Sequence, residues 1–233
     1  PTQPVVSGII VAAGNARRML GISKQLYPIE NKPVVAHTIE HFLNSPSIKE
    51  LVLVCRDDEV AEFEEIGAKY IKNLPYKIVT GGKTRQESVF AGINAADLSA
   101  KYYAIHDGVR PLITPKEIEA CIKTAIDVGA ATLGVKVKET IKIIGESDMI
   151  ISTPERESLY SIQTPQVFEA KLYKTAMQKA IKENRDYTDD CQLIEHIGQK
   201  VKVCPGSYEN VKITTREDVY IAKAIIEYRE KGL

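Results

Sequence analysis

The chain has 233 residues, of which 44% are hydrophobic and 27% are charged, and its 31 Lys and Arg balance its 31 Asp and Glu. This length suits one large domain or two small ones with a sizeable core, and the zero formal charge favours neither a nucleic-acid nor a membrane partner, so any basic site must be local. No apolar run reaches the roughly 18 residues of a membrane-spanning helix, and four scattered cysteines without a C-x-x-C motif favour a cytoplasmic protein without disulfides or a zinc site.

Strand and helix patterns alternate along the first 137 residues. The apolar periods predict strands at 5–12, 50–56, 76–82, 101–107 and 130–137, and helices at 32–45, 57–70, 85–96 and 114–129. Such interleaving favours parallel βαβ units with helices on both faces of the sheet. Because no Gly/Ser-rich linker or repeat interrupts the pattern, we expect one α/β domain over 1–233, with a Rossmann-like, mostly parallel sheet.

The alternation breaks at residues 138–160. Two β-rich runs flank the turn Gly145-Glu146-Ser147-Asp148, which predicts a hairpin projecting from the domain as a β-arm. The remaining predicted elements are helices at 169–183 and 189–197, short strands at KVKVC (200–204) and NVKIT (210–214), and an amphipathic helix at about 217–231.

The residues that follow three of the predicted strands are small or charged. They are Ala12-Ala13-Gly14 with Arg17, Arg18 and Lys24 after the first strand, Gly81-Gly82 with Arg85 and Ser88 after the third, and His106-Asp107-Gly108-Val109-Arg110-Pro111 after the fourth. In open α/β sheets, ligands bind at the carboxyl ends of the strands. The first turn matches neither G-x-G-x-x-G nor the phosphate-loop pattern, which excludes a dinucleotide dehydrogenase and a phosphate-loop NTPase.

Small residues combined with cations at one sheet edge favour a nucleoside triphosphate as ligand. Small residues let backbone N–H groups approach the ligand, while Arg and Lys neutralise several negative charges. Asp107 lies at a strand end beside these cations, where a carboxylate is placed to hold Mg²⁺ on phosphate oxygens.

Seven segments of the chain resemble the cytidylyltransferase family of isoprenoid-precursor synthesis. In chain order they are AAGNARRM, KQ at 24–25, GGKTRQESV, HDGVRP, QTPQVF, TDD and NVKITT. The resemblance extends over nearly the whole chain. It implies Mg²⁺-dependent transfer of CMP from CTP to the phosphate of 2-C-methyl-D-erythritol 4-phosphate, with release of pyrophosphate. It also implies a homodimer that exchanges a β-arm, in agreement with the hairpin predicted at 138–160.

The resemblance assigns roles residue by residue. Arg18 and Lys24 match the catalytic pair, which would bind the triphosphate and stabilise charge on the α-phosphorus. Arg156 and Lys212 match the residues that hold the acceptor phosphate in line. The implied nucleotide contacts are Ala12, Ala13, Gly14, Gly82 and Ser88. The implied acceptor contacts are Asp107, Arg110, Thr140, Thr164 and Thr188, with Asp107 also on the metal.

The sequence departs from the family pattern in the loop after the first strand. Ala16 stands where the family usually has Gly, which disfavours a positive φ there, and Ser23 replaces the usual Pro before Lys24.

Two alternative functions remain open. A ribitol 5-phosphate cytidylyltransferase would share the same plan, although the AAG opening and the ERESLY run lean towards the methylerythritol enzyme. A non-catalytic nucleotide-sensing domain would be expected to lack Lys24, Arg156 or Lys212, and all three are present.

Overall fold

A mixed sheet of seven strands is the centre of the computed structural model, which describes residues 5–14 and 21–232. The strands in chain order are β1 (Val6–Ala12), β2 (Pro28–Ile29), β3 (Lys32–Pro33), β4 (Ile48–Cys55), β5 (Tyr76–Thr80), β6 (Tyr102–Asp107), β7 (Ala130–Lys136), β8 (Ile143–Ile144), β9 (Ile150–Ser152), β10 (Tyr160–Glu169) and β11 (Lys202–Pro205). The helices are α1 (Val34–Leu43), α2 (Val60–Tyr70), α3 (Arg85–Ala95), α4 (Pro115–Val128), α5 (Ala170–Lys182), α6 (Asp190–His196) and α7 (Arg216–Glu230). In space the central strands follow the order β11-β7-β10-β6-β1-β4-β5.

The predicted α/β class is confirmed. β1 pairs in parallel with β4 and β6, and β5 pairs in parallel with β4. The predicted strands and helices of the first 137 residues are all present, with bounds that shift by a few residues. Thr84 and Thr114 form capping boxes that start α3 and α4 at the predicted places.

Helices cover both faces of the sheet, as predicted. On one face α1, α2 and α4 bury side chains such as Phe42, Phe63 and Ile122 against the sheet, with α4 lying over β7 and β10. On the other face α3, α5 and α6 bury side chains such as Ile93 and Tyr173. The central strands are apolar on both sides because both sides are covered in this way.

Two expectations about the second half of the chain differ from the structure. The sequence analysis predicts no strand at 160–169, yet β10 lies there, antiparallel to both β6 and β7, with an irregular register between Ile162 and Gln166. Pro165 and its polar neighbours keep the sequence pattern from predicting this strand, because Pro is rare inside sheets. The strand predicted at 210–214 is wrong, since within the described residues that segment pairs with no strand. Instead, Ile213 N donates to Val109 O (2.9 Å) and its side chain is buried with α7.

The predicted hairpin is present within 138–160. β8 and β9 pair antiparallel around a short 3₁₀ turn at 146–148. Nearly every residue of this arm is exposed, including Met149 (69%), Ile150 (60%) and Ile151 (67%). In the described part of the chain, no helix combines the length and apolar character needed to cross a bilayer.

Candidate active site

The carboxyl ends of β1, β4, β5 and β6 meet at one edge and open into a cleft. Their register aligns Val11 with Asp107, and Ala12 with Cys55. The lining residues are Val11, Ala12, Ala13, Gly14, Lys24, Gln25, Gly82, Lys83, Thr84, Arg85, Ser88, Asp107, Val109, Lys212, Ile213 and Thr214. This nucleotide cleft, as we name it, therefore brings together every predicted nucleotide-contact residue with Lys24, Asp107 and Lys212.

Neighbouring side chains pack so closely against the backbone after β5 that glycine is required there. A Cβ atom at Gly81 would lie 2.4 Å from the Cβ of Ala13 and 2.5 Å from the Oγ of Ser88, so this position admits only glycine. Ser88 Oγ accepts a hydrogen bond from Gly82 N (3.1 Å) and donates one to Thr84 O (3.0 Å). Ser88 thus lines the cleft, but in this structure its hydroxyl holds the glycine turn.

Lys24 reaches the cleft from a short 3₁₀ helix at Lys24–Leu26. The next residue, Gln25, is buried and donates from Nε2 to Glu59 Oε2 at 2.7 Å. That bond ties the Lys24 segment to the loop after β4. Arg18, the predicted partner of Lys24, lies outside the described residues, as does Ala16.

Three cations surround the carboxylate of Asp107. Lys212 Nζ lies 3.1 Å from Oδ2, Arg110 Nε lies 3.5 Å from Oδ2, and Arg85 Nη2 lies 3.2 Å from Oδ1. Burial alone would raise the pKa of Asp107, but Arg85, Lys212 and Arg110 outweigh it and hold that pKa well below its usual range. Asp107, together with Asp190 on the far side of Arg85, supplies two negative charges against these three cations, so the cluster keeps one positive charge and attracts anions.

Arg85 is also held from its other side. Its Nη1 donates to Asp190 Oδ2 at 2.8 Å, and Asp190 Oδ1 accepts from Tyr173 Oη at 2.7 Å. Burial works against the charge of Arg85, but Asp190 and Asp107 raise its pKa above the ordinary value.

A second cleft adjoins the first and shares Arg85, Asp107 and Lys212 with it. Its other lining residues are Arg110, Ile162, Gln163, Thr164, Gln166, Thr188 and Asp189. This acceptor cleft, as we name it, contains the predicted residues Arg110, Thr164 and Thr188. The predicted acceptor contacts of the main domain therefore lie directly beside the nucleotide cleft.

Thr164 and His106 form a buried support beneath Asp107. Thr164 Oγ1 accepts from Asp107 N (3.0 Å) and lies 2.9 Å from His106 Nδ1, while His106 Nε2 lies 3.2 Å from Arg110 O. Burial lowers the pKa of His106 to about 3, so the ring is neutral near pH 7. Thr164 thus fixes the backbone of the charged cluster.

The single chain does not bring the two predicted arm residues to either cleft. Arg156 and Thr140 are both exposed, and Arg156 Nη1 donates to Lys138 O (3.3 Å) within the base of the arm. Neither residue lines the nucleotide cleft or the acceptor cleft.

The nucleotide cleft offers few protein ligands to a metal ion. Across residues 5–14 and 21–232, no group of three or more His, Cys, Asp and Glu side chains could hold a metal ion. Among the described lining residues, Asp107 supplies the sole carboxylate. This donor set fits Mg²⁺ held mainly by phosphate oxygens and water, because Mg²⁺ keeps several waters and takes one or two carboxylates.

Asp190 and Gln25 matter to the site but carry no role in the sequence analysis, which names Arg85 only as one of the charged residues that follow the third predicted strand. Arg85 stands in the GGKTRQESV segment and Asp190 in the TDD segment, so the motifs contain the signal. Their roles depend on a tertiary contact between α3 and α6, which the local sequence does not specify.

Comparisons with known proteins agree with this geometry. The sequence model of the family "IspD: 2-C-methyl-D-erythritol 4-phosphate cytidylyltransferase" matches residues 6–228. The protein of that name from Caldanaerobacter subterraneus subsp. tengcongensis is 44% identical over 223 residues, covering 95% of this chain and 98% of its own. The one from Halalkalibacterium halodurans is 42% identical over 226 residues, covering 97% and 98%.

Solved structures give the same result. The crystal structure of 4-diphosphocytidyl-2C-methyl-D-erythritol synthase from Anaerococcus prevotii matches with a TM-score of 0.87 at 33% identity, covering 97% of this chain and 100% of its own. The cytidylyltransferase structure from Thermus thermophilus matches with a TM-score of 0.78 at 26% identity, covering 95% and 98%. The predicted resemblance is therefore confirmed, and the chain belongs to the 2-C-methyl-D-erythritol 4-phosphate cytidylyltransferase (IspD) family of nucleotidyltransferases.

Proposed function

We propose that this chain transfers CMP from CTP to the phosphate of 2-C-methyl-D-erythritol 4-phosphate, giving 4-diphosphocytidyl-2-C-methyl-D-erythritol and pyrophosphate. This is a step of non-mevalonate isoprenoid biosynthesis. Family membership supports the activity. Within the site, the observation that carries the proposal is the cluster of Arg85, Arg110 and Lys212 around Asp107, where two clefts meet. Its excess positive charge lies where two phosphorylated substrates would come together.

The nucleotide cleft holds CTP. Ala12, Ala13, Gly14 and Gly82 present backbone and small side chains, so a nucleoside can approach closely. The backbone of Gly81 packs tightly against Ala13 and Ser88, two residues that line the cleft, and this tight packing favours a pyrimidine over the larger purine. Ser88 acts here by holding the glycine turn.

The reaction needs no covalent enzyme intermediate, because the acceptor's own phosphate is the nucleophile. One of its oxygens forms a new bond to the α-phosphorus of CTP as the bond to the β-phosphate oxygen breaks and pyrophosphate leaves. Lys24 and Arg18 bind the triphosphate and stabilise the charge that builds up during this exchange. Lys212, which is 43% exposed at the junction of the clefts, holds the acceptor phosphate in line.

Mg²⁺ is the cofactor that this chemistry favours. When bound, it neutralises charge on the phosphate oxygens. Asp107 is the residue of the nucleotide cleft that would contact it, because it is the sole carboxylate among the described lining residues.

The acceptor cleft is completed by the arm of a second copy of this chain. The exposed arm carries Arg156 and Thr140, together with apolar side chains that need a surface to cover them. A two-stranded hairpin is marginal alone in water. In a symmetric dimer, each arm would lie across the partner and deliver Arg156 to its acceptor cleft, with Arg110, Thr164 and Thr188 on the other side of the substrate.

Pyrophosphate release from CTP tests this proposal. Purified protein with Mg²⁺ is offered 2-C-methyl-D-erythritol 4-phosphate, ribitol 5-phosphate or no acceptor in separate reactions, and ATP and GTP replace CTP as controls. We expect rapid release only with CTP and the methylerythritol substrate. Faster release with ribitol 5-phosphate would instead identify the longer polyol as the substrate. CTP binding without turnover of either acceptor would favour a nucleotide-sensing domain.

A further inference from the structure

A buried row of polar side chains lies behind the charged cluster. Tyr173 Oη donates to Asp190 Oδ1 (2.7 Å), and Arg85 Nη1 donates to Asp190 Oδ2 (2.8 Å). From its other side, Arg85 donates to Asp107 Oδ1 through Nε (3.3 Å) and Nη2 (3.2 Å). The row therefore runs without a break from Tyr173 to the carboxylate at the junction of the two clefts.

The far end of the row is anchored in the core. The Tyr173 side chain is fully buried, and its ring lies 5.5 Å from Phe168, 6.2 Å from Tyr103 and 6.5 Å from Phe90, measured between centroids. Asp190 is 3% exposed, and its N–H donates to the Oε1 of Gln166 in β10 (3.1 Å). Because α5, α6 and β10 all contribute, the position of Asp190 is fixed by the core as well as by Arg85.

The row is in contact with the site without reaching any substrate. Neither Tyr173 nor Asp190 lines the nucleotide cleft or the acceptor cleft. Arg85 lines both. The Asp190 carboxylate is hydrogen-bonded to Tyr173 and Arg85, so its contribution to the reaction would pass through the guanidinium of Arg85.

A planar guanidinium held by two carboxylates has one preferred orientation. Asp190 holds Nη1, so Nε and Nη2 face Oδ1 of Asp107. With Oδ1 held in this way, Oδ2 is directed at Lys212 and Arg110. Without Asp190, the guanidinium of Arg85 could reorient toward Asp107 or toward the substrate phosphates. The charged cluster would then lose its fixed orientation.

We propose that Asp190 and Tyr173 are positioning residues for the transfer reaction, acting through Arg85 on Asp107. The proposal rests on the cytidylyltransferase function proposed above. Burial also raises the pKa of Tyr173 well above its ordinary value, so its hydroxyl stays protonated and donates to Asp190 at every working pH.

Two conservative variants separate positioning from folding. Asp190→Asn keeps the shape but removes the charge, and Tyr173→Phe removes only the hydroxyl. Loss of an orienting partner commonly costs roughly 10- to 100-fold in well-studied metal sites. We expect kcat to fall roughly tenfold or more in Asp190→Asn and a few-fold in Tyr173→Phe. The KM for CTP should change less than about twofold, because the contacts around Ala12, Ala13 and Gly82 are intact.

A double-mutant cycle with Arg85→Lys gives the decisive readout. Lysine keeps the positive charge but lacks the planar guanidinium, whose N–H groups reach both carboxylates. If Asp190 acts only through that guanidinium, Asp190→Asn should cost little further activity in the Arg85→Lys background, less than roughly twofold. An equal loss in both backgrounds would mean that Asp190 acts independently of Arg85, and the proposal would be overturned.

Ser7→Ala is the matched control. Ser7 Oγ donates to the buried carboxylate of Glu50 (2.8 Å), a bond of the same kind on the amino-terminal side of β1. This variant should lower the melting temperature about as much as Tyr173→Phe while leaving kcat near wild type. Wild-type kcat in both Tyr173→Phe and Asp190→Asn would also contradict the proposal. A wild-type protein without transferase activity would instead refute the function on which it rests.

Discussion

The nucleotide cleft and the β-arm differ in how completely one chain builds them. In the cleft, the ends of four strands are held by buried hydrogen bonds, and Asp107 is fixed by three cations and by Thr164. In the arm, two short strands form a separate two-stranded sheet within the part of the chain that the structure describes, and their apolar side chains face solvent.

One chain therefore preorganises the residues of the nucleotide cleft, whereas it leaves the arm residues away from both clefts. A site held by many buried contacts needs no rearrangement when charge develops on a substrate. An arm that carries Arg156 away from both clefts can act only after docking on another surface. We therefore expect changes in the cleft to affect chemistry and changes in the arm to affect acceptor binding and assembly.

The largest effect should follow Lys24→Ala. Removal of one preorganised charge contact from a transition state commonly costs about 10²–10³ in rate, so kcat should fall by that factor in steady-state pyrophosphate release. Thermal unfolding should be unchanged, because Lys24 is only half-buried. Lys123→Ala, at an exposed position of α4, is the control. Near-normal turnover in folded Lys24→Ala protein would remove Lys24 from the mechanism.

A loss of roughly 10² in kcat/KM for the acceptor should follow Arg156→Ala, because one charge contact to its phosphate disappears. The affinity for CTP, measured by calorimetry, should stay at the wild-type value. Lys142→Ala is the control on the same arm, since Lys142 Nζ donates to Thr153 Oγ1 (2.7 Å) within the arm. If Arg156→Ala lowered the affinity for CTP as much as it lowered kcat/KM for the acceptor, the separate roles expected for the cleft and the arm would be contradicted.

A smaller effect should follow Ile150→Glu at the exposed face of the arm. Burial of an isoleucine contributes about 1.5–3 kcal/mol, so the dissociation constant of the dimer should rise at least about tenfold. Analytical ultracentrifugation over a concentration series measures this change. Leu98→Glu is the control, because Leu98 is even more exposed (92%) but lies outside the arm. Equal assembly of wild type and Ile150→Glu would show that the arm face does not form the interface.

The smallest effect concerns two histidines: His106, which is buried next to Asp107, and His41, which is half-buried on α1. Burial lowers the pKa of His106 to about 3 and that of His41 to about 4. Between pH 6.5 and 4 the unfolded chain therefore binds protons that the folded chain does not, and the free energy of unfolding falls as the pH falls. The slope reaches at most about 1.4 kcal/mol per pH unit for each histidine.

Urea denaturation from pH 7 to pH 4 measures that slope. His106→Asn should make it shallower, because the substitution removes one of these titrating groups. Identical slopes for wild type and His106→Asn would mean that His106 is accessible to protons and that the support beneath Asp107 is loose.

The comparison also shows where sequence reasoning succeeds. The apolar runs of β1, β4 and β6 predict buried parallel strands because each run is covered on both faces. Once the strands are known, the small and charged residues that follow them define the cleft. Ala12, Gly82 and Asp107 can be assigned in this way without any tertiary information.

The remaining features depend on contacts between distant segments. β10 contains Gln163, Thr164 and Pro165, which oppose a strand locally, yet it pairs on both sides because β6 and β7 leave a gap for it. The row from Tyr173 to Arg85 joins helices that are far apart in sequence. Residue types alone give no reason to pair Asp190 with Arg85 rather than with solvent.

Subunit mixing tests the central claim, a catalytic site shared between two chains, most directly. Homodimers of Lys24→Ala and of Arg156→Ala should each be nearly inactive. Equal amounts are then mixed under conditions of verified subunit exchange. In a mixed dimer one site carries both changes and the other carries neither, so about a quarter of wild-type activity should return. A mixture that stays inactive after exchange would place Arg156 in the site of its own chain and contradict the account.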